Sequence, residues 1–151
     1  MDPTVMVQLK DVGMAAALGL SAAGSALGVG AAGQAAVGAW KKCFIQNKAA
    51  PFILAVFIGA PLSQTIYGMI VMNAIAQSVT KGSYLMGAGI FGGLGIGLSA
   101  WMQGKIGAAA ADATAETGKG FGNYLIALGI AETVALFVMV FVMMGTSKIV
   151  G

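Results

Sequence analysis

Four long apolar stretches, separated by short polar breaks, dominate the pattern of the chain. They cover about residues Gly13–Trp40, Ala49–Val79, Tyr84–Ala111 and Gly120–Thr146. Each exceeds the roughly 20 residues that an α-helix needs to cross the hydrocarbon core of a bilayer. Because the breaks are short, consecutive helices are expected to lie antiparallel. The pattern therefore predicts an all-α membrane protein with four transmembrane helices.

Composition supports this prediction. The chain is 58% hydrophobic and 9% charged, whereas soluble domains carry about 25% charged residues. The net charge of +3 does not indicate a nucleic-acid partner, because the lysines lie at segment ends and form no patch beside aromatic residues. Residues 1–12 lack the pattern of a signal peptide. Cys43 has no second cysteine to pair with, and we expect a reduced thiol in a cytoplasmic turn.

The lysines also predict an orientation. The first and third loops and their flanks carry Lys41, Lys42, Lys48, Lys105 and Lys119, and the termini and second loop carry Lys10, Lys81 and Lys148. Cytoplasmic loops carry an excess of basic residues. The bias places the first and third loops in the cytoplasm.

Glycines distinguish the first and third stretches from the bulkier second and fourth. Gly24 and Gly28, and then Gly89, Gly93 and Gly97, recur every fourth residue, so each set lies on one helix face. Small faces let helix backbones approach closely in lipid. Two interpretations remain open. The thin helices could line the inside of a curved wall with the thick ones outside, or the glycines could serve ordinary packing in a monomeric bundle.

The two halves of the chain resemble each other. Residues 25–36 align with residues 99–110, and Gly59, Ser63 and Tyr67 align with Gly129, Thr133 and Phe137. The alignment predicts a duplicated helical hairpin, with a first hairpin at residues 1–80 and a second at residues 81–151. Leu62 falls opposite Glu132. The first hairpin therefore has no carboxylate where the second has one.

Glu132 lies near the middle of the fourth apolar stretch. A carboxylate at that depth costs on the order of 3 kcal/mol to insert, and an ionisable residue inside a membrane span is by default a functional-site hypothesis. Gln103, Glu132 and Ser63 each lie about 16 to 19 residues from the non-cytoplasmic ends of their helices, or roughly 24–28 Å at 1.5 Å per residue. The three side chains can therefore share one level of the membrane.

Several oxygen atoms are predicted at that level. Pro61 in mid-helix leaves a backbone carbonyl without its usual donor, and further oxygens come from Ser63, Gln64, Tyr67 and Gln103. One carboxylate among neutral oxygens suits a monovalent hard cation. A proton site needs only the carboxyl and one hydrogen-bond acceptor, so the pattern favours Na⁺ over H⁺. Alternatively, the polar side chains only bridge helices.

These residues resemble the proteolipid (K or c) subunit of V/A-type rotary ATPases. The resemblance covers nearly the whole chain and is carried by the hairpin duplication, the glycine-rich helices and the segments Pro61–Gly68, Gln103–Ala110 and Ala131–Thr133. It implies a rotor ring built from copies of this chain in membrane lipid. It also implies a stator subunit with a fixed cation, a central-stalk subunit on the cytoplasmic loops and a separate ATP-hydrolysing head. A prokaryotic plasma membrane is the expected location.

The resemblance also implies roles for individual residues. Glu132 matches the ion-carrying carboxylate, and Tyr67 matches the tyrosine that locks it. The implied ligands of the Na⁺-type ring are Gln103, Gln64, Ser63 and the backbone carbonyl of Ala60. Ser63 occupies a position that is often Thr, and Leu62 a position that looks like Gly in close Na⁺-type relatives. Neither departure removes an oxygen.

Two other classes compete with the rotor interpretation. A small secondary antiporter could exchange protons for cations or drugs on Glu132, and a tetraspan scaffold would transport nothing. Few aromatic residues flank Glu132, which disfavours a drug cavity, and a scaffold leaves the carboxylate unexplained. The chain has no nucleotide-binding loop and no nucleophile paired with a base, so we expect no enzymatic activity by itself and no organic cofactor.

Overall fold

A computed structural model gives the structure of the chain at residues 2–79 and 82–147. This part of the chain is helical and contains no strand. Its elements are α1 (Pro3–Ile45), α2 (Leu54–Gly59), a short 3₁₀ turn (Ala60–Leu62), α3 (Ser63–Gln77), α4 (Gly82–Thr117) and α5 (Phe121–Ser147). Four helical spans are long and apolar enough to cross a membrane: α1, α2 through α3, α4 and α5. The all-α prediction with four membrane-length helices is confirmed.

The first helix is longer than predicted. It begins at Pro3 rather than Gly13 because the Asp2 carboxylate accepts a hydrogen bond from the Thr4 N–H at 2.9 Å, and proline suits the first helical position. It continues past Trp40 to Ile45. Cys43 therefore lies buried in the last turns of a helix, and the prediction of a turn position was wrong.

The fourth element also departs from its predicted end. Helix α4 runs through Asp112 and Glu116, which the sequence pattern assigned to a break. Charged side chains at a helix end can extend away from the apolar layer, so they do not stop the helix. Gly118 stops it, because its positive φ of 64° is a conformation that glycine adopts readily, and its N–H donates to the Thr114 carbonyl at 2.8 Å.

Part of the predicted orientation rests on residues outside the described ranges. Two of the lysines counted for it, Lys81 in the second loop and Lys148 near the C-terminus, lie outside them. The proposed division between the hairpins at residues 80 and 81 also lies there, so it stays a prediction.

Helices α1 and α4 pack against each other through glycine. A Cβ added to Gly24 would overlap the backbone of Gly97, and one added to Gly104 would overlap the backbone of Gly28. Contacts advance in the same direction along both helices, so α1 and α4 are parallel. The four-residue glycine spacing therefore serves contact within one chain, and the placement of these helices inside a ring stays a prediction.

Helices α3 and α5 lie against this glycine-packed pair, with α3 on α1 and α5 on α4. Two buried apolar clusters fill the interior. The cluster nearer the first and third loops contains Phe57 and Leu128, and the other contains Ile96 and Ala135. The two turns of α5 from Leu128 to Ala135 connect these clusters, and Glu132 lies within them.

Ion pairs and hydrogen bonds connect the helices at both ends. At the end with the first and third loops, Lys42 of α1 forms ion pairs with Glu116 at 2.6 Å and Asp112 at 3.5 Å on α4. At the other end, the Lys10 ammonium donates to the carbonyls of Ala76 at 2.6 Å and Ser78 at 2.9 Å. The last carbonyls of a helix have no partner within it, so Lys10 satisfies the end of α3.

Candidate functional site

Glu132 faces the interior because of its position on α5. Leu128 and Ala135 are buried, and they lie four residues before and three residues after Glu132. Residues at these spacings share one face of a helix. The carboxylate therefore points toward α3 and α4, and the side chain is half-buried between them.

Two hydroxyl groups of α3 bind the same carboxylate oxygen. Ser63 Oγ donates to Glu132 Oε1 at 2.6 Å, and Tyr67 Oη donates to it at 2.7 Å. Ser63 and Tyr67 are four residues apart, so they lie one turn apart on one helix face. Both distances lie in the ordinary range of O–H···O hydrogen bonds.

Two buried amides complete the inner side of the site. Gln64 Nε2 donates to Gln103 Oε1 at 2.7 Å, and Gln103 Nε2 donates to the Leu128 carbonyl at 3.0 Å. Gln103 Nε2 also lies 3.5 Å from Glu132 Oε2, at the outer limit of a hydrogen bond. Because Leu128 holds the nitrogen of Gln103, the oxygen of that amide faces Gln64.

The 3₁₀ turn brings backbone oxygen to the site. Pro61 lies buried in this turn and has no N–H, so the carbonyl of Phe57, four residues earlier, receives no helical bond from it. Ser63 Oγ lies 3.2 Å from the Ala60 carbonyl oxygen. Gly107 of α4 leaves room here, because a Cβ on it would lie 2.8 Å from the Phe57 carbonyl oxygen.

The site thus combines one carboxylate with several neutral oxygens. Within residues 2–79 and 82–147, no three His, Cys, Asp or Glu side chains gather as a metal-binding group. A donor set of carboxylate, amide, hydroxyl and carbonyl oxygens suits hard cations, and its single formal charge matches a single positive charge.

The structure brings together every residue that the sequence placed at the site. The residues that gather around one turn of α5 are Glu132, Gln103, Gln64, Ser63, Tyr67 and Ala60. Their roles as ion ligands remain predictions. Leu62, which aligns with Glu132, is 55% exposed and belongs to no polar contact among the described residues.

Sequence reasoning missed two contacts that support the site. The Leu128 carbonyl orients Gln103, and Ser99 Oγ donates to the Ala131 carbonyl at 2.6 Å. The Leu128 contact could not be predicted, because every residue type carries the same backbone carbonyl. The position of Ser99 could have been recognised from the sequence, because Ser99 precedes Gln103 by four residues and so lies on the helix face that carries the site.

The second half of the chain matches a known protein family. Residues 86–144 match the family model of the ATP synthase C-subunit. The matched segment includes most of α4 and α5, with Gln103 and Glu132, and covers less than half of the chain. None of the curated proteins compared with the chain matches it. The match supports a proteolipid of the c-subunit type and an integral multi-pass membrane protein. It does not distinguish between V/A-type and other rotary ATPases, or between Na⁺ and H⁺.

Proposed function

We propose that this chain is a rotor-ring subunit of a V/A-type rotary ATPase and carries Na⁺ across the membrane on Glu132. The main support is the set of polar groups from α3 and α4 around a carboxylate in the middle of a membrane-length helix. The match of residues 86–144 to the ATP synthase C-subunit supports the rotor class and gives no support to an antiporter.

The charge balance suits a carrier that moves through lipid. An ionised carboxylate facing hydrocarbon costs on the order of 3 kcal/mol or more. A bound monovalent cation neutralises Glu132, so a filled site exposes no net charge. An empty site keeps its charge and stays where another cation, supplied by a stator subunit, can pair with it.

The number of oxygens favours Na⁺ over H⁺. Ser63 and Tyr67 already satisfy one carboxylate oxygen, and protonation of the other requires no further ligand. Gln64 and Gln103 nevertheless place buried amide groups beside it. These amides are bonded to each other and to the Leu128 carbonyl, and a bound Na⁺ would give their oxygens an additional role.

Rotation requires partners that this chain does not supply. Copies of the same chain would form the ring, a central-stalk subunit would dock on the first and third loops, and a separate subunit would hydrolyse ATP. The chain itself is a non-catalytic, ion-translocating component. We place the first and third loops on the cytoplasmic side of a prokaryotic plasma membrane, following the lysine distribution and the resemblance.

Labelling with a carboxyl-reactive carbodiimide tests the proposal. Such reagents modify a protonated, vacant carboxyl, so we expect millimolar Na⁺ to protect Glu132 in the purified full-length protein and K⁺ to leave it reactive. Peptide mass spectrometry measures the modified fraction. Glu132→Gln should remove the labelling, and Glu116→Gln, which changes an exposed carboxylate, should not. Labelling that depends on pH but ignores Na⁺ would establish H⁺ as the carried ion.

A further inference from the structure

Ser99 makes a hydrogen bond next to the ion site without belonging to the proposed ligand set. Its Oγ donates to the Ala131 carbonyl at 2.6 Å, and the residue is only 6% exposed. Ala131 directly precedes Glu132. The bond therefore fixes the backbone beside the carboxylate, from a residue on a different helix.

The same turn of α5 has a second bond to α4. Gln103, one turn beyond Ser99 on α4, donates to the Leu128 carbonyl at 3.0 Å. Leu128 and Ala131 are three residues apart, so both carbonyls belong to the turn that precedes Glu132. The hydrogen bonds from Ser99 and Gln103 lie one turn apart. Together they fix the position of this turn along α4 and its rotation about the axis of α5.

Side-chain packing alone does little to set that height. In its described part, α5 buries only Leu128, Ala135 and Thr146. The face of α4 toward α5 includes Gly92 and Gly95, where an added Cβ would lie 3.2 Å from Val142 and Val138. A glycine surface offers few side chains to interlock with α5. The position of α5 along α4 therefore depends more on directed hydrogen bonds.

The first hairpin provides an internal comparison. Ser25 aligns with Ser99 and is 2% exposed, but its Oγ has no hydrogen-bond partner among the described residues. That hairpin has Leu62 where the second has Glu132. A serine is therefore buried at the same place in both hairpins, and only the one beside the carboxylate is bonded to the neighbouring helix.

We propose that Ser99 is a positioning residue that holds Glu132 at the height of Ser63, Tyr67 and Gln103. This inference rests on the proposed function of Glu132 as the ion carrier. Loss of the bond lets the turn shift along α4, so the short contacts from Ser63 and Tyr67 lengthen. Interhelical hydrogen bonds in membranes have modest strength, and the expected loss of Na⁺ affinity is about threefold to tenfold.

Ser99→Ala and Ser25→Ala form a matched pair for the test. In the full-length purified protein, the Na⁺ concentration that halves carbodiimide labelling of Glu132 should rise in Ser99→Ala and stay unchanged in Ser25→Ala. Thermal unfolding without Na⁺ is measured alongside, because a purely structural role would lower stability and leave the Na⁺ concentration unchanged. If Ser99→Ala does not fold, Ser99→Cys keeps a side chain of similar shape with a weaker donor.

The two proposals can fail separately. If wild-type labelling ignores Na⁺, the sodium part of the proposed function is wrong. The labelling rate at one fixed pH then reports on Ser99: it should change in Ser99→Ala and not in Ser25→Ala. Equal behaviour of the two variants in both measurements would overturn the positioning role of Ser99.

Discussion

The predicted first and second hairpins align along their helices but differ in the polar groups at the level of Glu132. Glu132 of the second hairpin aligns with Leu62, and Gln103 aligns with Val29. The α3 residues Ser63, Gln64 and Tyr67 align with Thr133, Val134 and Phe137 of α5. Thr133 keeps a hydroxyl, but it donates to Ile130 of its own helix at 2.7 Å. At the aligned positions, Leu62 therefore replaces the carboxylate, and the residues that correspond to its polar partners are apolar apart from Thr133.

A carboxylate and its partners thus form one unit in this molecule. A single Glu in an apolar helix is costly, and hydroxyl and amide groups on adjacent helices offset that cost. The family match likewise falls on residues 86–144, the part of the chain that contains Gln103 and Glu132.

Exchange of the two aligned residues should have the largest effect. In the double variant Leu62→Glu with Glu132→Leu, the carboxylate moves to position 62, for which the residues that correspond to Gln103, Gln64 and Tyr67 are Val29, Val134 and Phe137. We expect complete loss of Na⁺-protected carbodiimide labelling and of ion transport by the assembled complex. Glu132→Leu alone is the control, and recovery of Na⁺ protection by adding Leu62→Glu would contradict the idea that the partners matter.

Removal of one buried amide should have the next largest effect. Gln103→Leu deletes the group that links Gln64, the Leu128 carbonyl and Glu132. We expect Na⁺ affinity to fall roughly 10- to 100-fold, the range seen when groups that orient metal ligands are lost. Isothermal titration calorimetry with Na⁺ measures the affinity.

The control for that variant is Gln34→Leu, because Gln34 of α1 is exposed and belongs to none of these contacts. An unchanged Na⁺ affinity in Gln103→Leu would show that the amide only bridges helices.

A smaller effect is expected when Tyr67 takes the side chain of its counterpart Phe137. Tyr67→Phe removes one hydrogen bond to Glu132 and keeps the ring. The loss of one such bond costs about 1 kcal/mol, or roughly a fivefold loss of affinity. Protection titrations with Na⁺ measure the change, and Tyr124→Phe, at a tyrosine packed against Phe57, controls for loss of a hydroxyl elsewhere. A Tyr67→Phe variant with wild-type affinity would remove Tyr67 from the site.

The sequence predicted those parts of the structure that depend on transfer between water and lipid. Long apolar runs identify the helices, and a deep acid stands out against them, so Glu132 and its partners were accessible to sequence reasoning. Helix ends were not, because α1 and α4 continue through charged residues such as Lys42 and Glu116. The bond from Ser99 to Ala131 also escaped, since it depends on the relative rotation of α4 and α5.

Hydrogen-bond direction was equally inaccessible. The residues Gln64 and Gln103 indicate amides at one level, but they do not indicate which atom of each amide faces the carboxylate. In the structure, the carbonyl of Leu128 binds the nitrogen of Gln103 and so turns its oxygen toward Gln64. Backbone acceptors of this kind become visible only when the helices are in place.

Two apolar clusters lie on either side of the site along the helices. One cluster packs Phe57 and Leu128 toward the first and third loops, and the other packs Ile96 and Ala135 toward the opposite end. Glu132 is half-buried between them, and the residue that follows it, Thr133, is exposed. Under the proposed function, a cation enters and leaves sideways, through the exposed side of Glu132. The chain then transports an ion only while a second surface moves past it, so the direction of transport is set by where the two surfaces meet.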